Sequence, residues 1–247
     1  VDADALELRV RGAAPSALFQ ISSTTRRVFD LAADPARIAD TFRNDERLGA
    51  LIEARPGLRI PGAWDPFECA VRAVLGQQVS VAAARTLAMR LVNRAGRRIG
   101  DDPEGLTHLF PSPEELAVVN LDGLGITGAR IAALRALSVA VAQRQLDFSH
   151  PVEDVIRGIT ALPGFGAWTA QYIALRALGE PDAFPTGDLV LRRLASSTET
   201  PLTTRELEER AESWRPWRGY AVMHLWKAAG ALQAAQTAGS KTSRRKS

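Results

Sequence analysis

ALPGFGAWTAQY, residues 161–172, joins two helix-like segments through a turn in which Pro163 leads and a glycine stands on each side of Phe165. Gly164 and Gly166 can both take positive φ, a region other residues enter at a cost, and can bring backbone amides to the surface. Pro163 stiffens the approach. The helix that follows, from Ala167 to Leu178, aims its free N–H groups and partial positive charge at whatever lies over the turn. That geometry suits a phosphate and needs no base edge, so it would hold a nucleic-acid backbone regardless of sequence. A tight interhelical turn with no ligand uses the same residues, and the turn alone leaves both readings open.

Outward from this turn the pattern is helical. Upstream, Phe67, Val71, Val74 and Leu75 recur at helical spacing after Asp65-Pro66, with Glu68 placed to close a capping box. Gly76-Gln77-Gln78 interrupts, and Ser80 can cap a helix through Leu91. Arg94 to Leu109 reads as a loop. Helices follow from Pro113 to Val119, Gly128 to Arg144, and His150-Pro151 to about Gly158. Downstream, Gly179 ends the Trp168 helix and residues 180–187 form a Pro/Gly loop. Asp188 opens a short helix to Leu194. Thr203 and Glu206 make a capping-box start for a helix reaching Trp214, and a last helix runs from near Pro216 to Ala229. Leu121-Asp-Gly-Leu-Gly125 echoes the L-x-G-x-G of residues 162–166, although an ordinary Gly-terminated helix end gives the same pattern.

Only Leu6 to Val10 alternates at period two, the mark of a short strand. The expected organisation is a strand remnant of an N-terminal domain over residues 1–12, a helical core over 13–236 in two subdomains with a cleft between them, and a disordered basic tail over 237–247. The chain begins at Val1, which suggests a fragment or one half of a fusion.

The 247 residues are 46% hydrophobic, enough for a large core, and carry a net charge of +3, a slight bias toward nucleic acid. No apolar run approaches the roughly 18 residues of a membrane span. A single cysteine, Cys69, excludes an internal disulfide and a four-cysteine iron–sulfur site. The histidines at 108, 150 and 224 have no ligand spacing. The cations are almost all arginine, as a GC-rich genome would also give. Lysine occurs at 227, 241 and 246 only, so an amine nucleophile is scarce.

The L-P-G-x-G turn, the aromatic-bearing helix after it, the Pro/Gly loop and the Asp opening the next helix together resemble the helix–hairpin–helix, Gly/Pro-rich, Asp superfamily of DNA glycosylases. ARPGLRIPGAWDPFECAVRAVLGQQVSVAAA (54–84), LPGFGAWTAQYIALR (162–176) and RPWRGYAVMHLW (215–226) are similar to its AlkA-type branch, the DNA-3-methyladenine glycosylase II enzymes, and the resemblance covers roughly residues 6 to 230. It implies a mainly α helix–hairpin–helix glycosylase fold with a truncated β part. It implies a monomer that binds double-stranded DNA, flips out alkylated purines of the 3-methyladenine and 7-methylguanine class, and hydrolyses the N-glycosidic bond with water and no required cofactor. Residence in the cytoplasm, on the nucleoid, follows from that role.

By this resemblance Asp188 is the catalytic aspartate. An Asp at a helix start is usually an N-cap. A carboxylate held there as the anion can also stabilise the positive charge that grows on the sugar, or orient the attacking water. The bifunctional branches of the superfamily carry a Schiff-base Lys where this chain has Trp168, which implies a monofunctional enzyme without β-lyase activity. Trp168 and Tyr172, four apart on one helix face, and Trp226 would form a pocket whose π-faces favour an electron-poor cationic base. Core packing is the alternative for each ring, and Trp214 and Trp217 are assigned to it. The duplex gap left by flipping needs a wedge, which falls on Gln77-Gln78. The family residue at the second position is apolar, so Gln78 is a departure.

DNA-backbone contacts fall on Pro163, Gly164, Phe165, Gly166 and Thr169, with the amide of Trp168. Arg176, Arg192, Arg193 and Arg218 are candidate phosphate contacts or plain solvated charges. The family's hairpin cation, monovalent and nonessential to chemistry, would sit on the carbonyls of Thr160, Leu162 and Phe165. A non-catalytic helix–hairpin–helix DNA-binding module, or the C-terminal half of a fused alkylation-response protein, are the alternatives. The former predicts duplex binding with no excision.

Overall fold

The computed structural model describes residues 5–100 and 105–243, with side chains through Leu232. Twelve α-helices occur among the described residues: α1 Leu18–Val28, α2 Pro35–Phe42, α3 Leu48–Glu53, α4 Pro66–Leu75, α5 Val81–Ala95, α6 Pro113–Val118, α7 Gly128–Ala142, α8 Val152–Thr160, α9 Ala167–Ile173, α10 Leu189–Leu194, α11 Thr204–Ala211 and α12 Arg218–Ser243. None is long and apolar enough to cross a membrane.

Helix starts coincide with capping side chains. Asp34 accepts from the N–H of Ala36 and Arg37 ahead of Pro35, and Ser80 caps α5. Ser112 with Glu115 and Thr203 with Glu206 form complete capping boxes. At α4 only half of the expected box exists. Asp65 accepts from the Glu68 N–H, but the Glu68 carboxylate turns down the helix to Arg72, 2.6 Å away.

Two apolar cores divide the helices. Val71, Val74, Leu91, Leu116, Leu134, Ile159 and Ile173, from α4 to α9, fill one. Phe42, Leu48, Leu191, Leu207, Trp214 and Leu225, from α2, α3 and α10 to α12, fill the other. The chain therefore leaves the second core after α3, builds the first, and returns. The crossing point is a single π-helical turn, Ala174–Leu178, that continues α9: Ala174 and Leu175 pack into the second core and Ala177 into the first. Such a bulge lets one helix turn different faces to two neighbours. Arg27 clamps this turn by donating to the carbonyls of Ala63 and Ala177 at 2.8 and 2.9 Å. Asp45 ties the second core, accepting from the N–H of Leu48 and from the indole of buried Trp214, both at 2.8 Å. His224 is buried here too. Burial pushes its pKa down to about 4, so it packs as a neutral ring.

Three features differ from the sequence expectation. Residues 6–10 form no strand: a strand needs a hydrogen-bonded neighbour, none lies beside them among the described residues, and Leu6, Leu8 and Val10 stand exposed. The last helix continues past Ala229 to Ser243, through the stretch 237–243 assigned to a structureless tail. Ala231, Leu232, Gln233, Ala234 and Ala235 are strong helix formers, and adding residues to an established helix needs no new nucleus. Residues 244–247 lie outside the described residues, as do Val1 to Asp4 of the strand remnant. Finally, α1 to α3 lie in a stretch that the sequence reading gives to the helical core without placing any individual helix in it.

Candidate functional site

The 161–166 turn leaves α8 and enters α9. Gly164 has φ +82°, and a Cβ there would stand 2.7 Å from the Cβ of Ala133 on α7. Gly166 does not share this conformation: φ −92° and ψ 173° are extended backbone open to any residue, and a Cβ would meet nothing within 4 Å. Having no side chain, Gly166 cannot cap α9, so the first-turn N–H groups have no capping acceptor. Pro163, Gly164, Gly166 and Ala167 form an exposed rim. Phe165 and Thr169, expected at a backbone contact, turn inward and are 6% and 4% exposed. Phe165 belongs to the first core and anchors the turn, so only their main-chain atoms can face a ligand. Leu162 O accepts the Phe165 N–H at 3.3 Å.

The Gly76–Ser80 loop docks against this turn. Gln77 Nε2 donates to Gly164 O at 3.1 Å and to Thr169 Oγ1 at 3.3 Å, and Arg130 donates to the Gln77 carbonyl. Gln77 is therefore a tie between loop and turn and is not free to enter a duplex. Gln78, exposed at φ +54°, is the one that projects. Replacing Gln77 with Ala is expected to cost about 0.5–1.5 kcal/mol per lost bond, read as a lower urea midpoint, whereas Gln78→Ala should leave stability unchanged or raise it. Equal midpoints for parent and Gln77→Ala would refute the tie.

Asp188 and the aromatic residues lie at the seam of the two cores. Asp188 Oδ1 caps α10, accepting from the N–H of Val190 at 2.8 Å and Leu191 at 3.0 Å. Its Oδ2 accepts the indole N–H of Trp168 at 2.9 Å. Trp168 stacks on Tyr172 with centroids 5.3 Å apart and planes 13° off parallel, and Tyr172 meets Trp226 at 6.1 Å and 46°. The three rings named from the sequence thus form one cluster that ends on the carboxylate. Burial raises the pKa of Tyr172, with Arg176 opposing, so the phenol is neutral near pH 7. Beside the rings lies a recess of about 290 Å³ bounded by Arg72, Gly76, Val79, Val81, Ala84 and Arg85 together with Trp168 and Tyr172. A larger hollow of about 540 Å³, between Asp65, Phe110 and Phe148, contains none of these groups.

Of the candidate phosphate-binding arginines, three serve the fold. Arg176 donates to Pro61 O at 2.7 Å and lies over Tyr172, Arg192 donates to Leu202 O at 2.5 Å, and Arg218 pairs with Asp182 at 2.7 Å. Arg193 is exposed with no such partner among the described residues. Trp214 is fully buried, and Trp217 packs edge-on against Tyr220 at 5.7 Å. Sequence reasoning missed Val81, 78% exposed at the recess, and Leu189 and Val190, exposed beside Asp188. An apolar residue at a helix N-terminus, next to a polar cap, was the available signal for all of them.

Known proteins resemble this chain over most of its length. Residues 71–218 match the model of the HhH-GPD superfamily base excision DNA repair proteins, and residues 1–65 match the AlkA N-terminal domain. The chain is 44% identical over 211 residues, 85% of its length, to a probable bifunctional transcriptional activator/DNA repair enzyme AlkA of Mycobacterium tuberculosis, of which it spans only 42%. It is 38% identical over 209 residues to DNA-3-methyladenine glycosylase 2 of Escherichia coli, covering 83% of this chain and 70% of that protein. Among solved structures, the 3-methyladenine DNA-glycosylase from Archaeoglobus fulgidus superposes with a TM-score of 0.73 at 21% identity, over 87% of this chain and 75% of that one.

Proposed function

The chain belongs to the HhH-GPD superfamily of base excision DNA repair proteins, and from that premise we propose that it is a monofunctional DNA glycosylase that removes alkylated purines from duplex DNA and leaves an abasic site. The observation that carries this reading is the Asp188 carboxylate, fixed by three donors where the Trp168–Tyr172–Trp226 cluster ends.

The exposed backbone of the 163–167 rim holds a phosphate, and Gln78 fills the gap left by the flipped nucleotide. The base enters the recess and lies against the aromatic rings. A base alkylated at N3 or N7 is cationic, and its attraction to a ring face is worth about 0.5–2 kcal/mol. Alkylation also makes it a better leaving group, so the pocket need not read hydrogen-bonding edges. As the glycosidic bond lengthens, positive charge gathers on the sugar and Asp188 stabilises it.

Counting lone pairs narrows the role of this carboxylate, which has about four acceptor sites. Two on Oδ1 take the Val190 and Leu191 N–H groups and one on Oδ2 takes Trp168, leaving one. That site on Oδ2 faces either the sugar or a single water. Among the described residues no lysine borders the recess, which supports hydrolysis by water without a Schiff base. A hard cation would be held by the hairpin carbonyls of Thr160, Leu162 and Phe165, since oxygen donors suit it and Leu162 O, which accepts the Phe165 N–H, keeps a second lone pair. It would bring charge to a DNA phosphate and take no part in hydrolysis. We infer a monomer acting on DNA.

The test is to incubate the protein with methylated duplex DNA and chromatograph the released bases. Release of 3-methyladenine and 7-methylguanine is expected, with strands intact until alkali is added. No release by a folded, DNA-binding protein would leave a binding module only, and scission without alkali would overturn the monofunctional assignment.

A further inference from the structure

We propose that Trp168 is a positioning residue for Asp188, acting through its indole N–H rather than chiefly through its ring face. The inference deepens the glycosylase reading and rests on it. Trp168 Nε1 lies 2.9 Å from Asp188 Oδ2 across twenty residues of sequence, a bond between a first-turn residue of α9 and the cap of α10. One face of the indole is covered by Tyr172, nearly parallel at 5.3 Å. The ring is therefore held at both its edge and a face, and its N–H direction is set by packing. Oδ1 is filled by helix N–H groups, so Trp168 decides which lone pair of Oδ2 stays open toward the sugar.

The same bond couples binding to chemistry. Trp168 stands two residues beyond Gly166, at the end of the exposed rim, and Gln77 fixes that rim through Gly164 O and Thr169. The rim, the indole and the carboxylate are thus held by one connected set of contacts within the protein. Here the side chain at the position of the lyase amine contributes a donor to the catalytic carboxylate and no nucleophile.

The test uses the full chain and two duplexes, one with a cationic pyrrolidine in place of the abasic sugar and one with a neutral tetrahydrofuran. The parent should prefer the cation. Trp168→Phe keeps a ring on Tyr172 but loses the N–H; the preference and the single-turnover release of 7-methylguanine should each fall about 10–100-fold, as for a hydrogen bond to a charged group. Affinity for the neutral duplex should stay within about twofold, which also shows that the variant is folded. Trp168→Leu should lose the same preference even if neutral affinity drops. In an Asp188→Asn background Trp168→Phe should change nothing further, since the two residues act as one unit. A Trp168→Phe protein with the parental rate and preference overturns the proposal, as does an equal loss on both duplexes. A parent that releases no base and shows no preference overturns the glycosylase reading itself, and this inference with it.

Discussion

Asp188→Asn is expected to abolish base release while leaving the fold and duplex binding in place. The substitution keeps shape and retains an oxygen for the N–H groups of Val190 and Leu191, and Asn caps helices about as well as Asp. Thermal stability should therefore change little. What disappears is the negative charge that opposes the cation forming on the sugar. Loss of one preorganised electrostatic group typically lowers a rate by about 10²–10³-fold. The loss should reach at least that range, because the amide also places N–H against the Trp168 indole N–H and loses that bond. Single-turnover release of 7-methylguanine, with duplex affinity measured in parallel, separates the effects. A rate within about threefold of the parent would show that the carboxylate is only a helix cap.

The parts of this site that could be read in the sequence are those with local causes. Asp65, Ser80 and Thr203 mark helix starts through bonds spanning three residues, so these caps follow from neighbours. Trp168 and Tyr172 share a face because they are four apart on one helix, and their stacking follows. What the sequence could not show depends on distant partners. Phe165 looks exposed between two glycines and is buried because the first core lies beneath the turn. Gln77 and Gln78 are chemically identical and have opposite roles. Only the approach of Gly164 O and Thr169, 87 and 92 residues away, pulls Gln77 inward. Leu6 to Val10 carries a strand pattern with no strand beside it among the described residues, and pairing, not pattern, makes a strand. The indole–carboxylate bond likewise has no local signature.

Gly164→Ala is expected to be the most destabilising of the single-atom additions in this region, and Gly166→Ala nearly silent in stability. Both glycines look alike in L-P-G-F-G. At Gly164, φ of +82° costs an L-residue about 1–2 kcal/mol, and the new methyl would start 2.7 Å from the Ala133 Cβ, an overpacking worth about 1–3 kcal/mol. Together these predict a loss of about 2–5 kcal/mol, visible as a large drop in the urea midpoint. Gly166 has extended backbone and open space, so its stability should move by less than about 0.5 kcal/mol. Its cost should appear instead in DNA affinity, because a methyl on the exposed rim obstructs close approach of a phosphate. Ala133→Gly in the Gly164→Ala background checks the cause: it removes the clash, leaves the φ strain, and adds about 1 kcal/mol for a glycine inside α7. Partial recovery at most is therefore expected. If Gly166→Ala proves the less stable of the two, the turn is not held by the contact between Gly164 and α7, and the rim proposed to take the phosphate is set by something else.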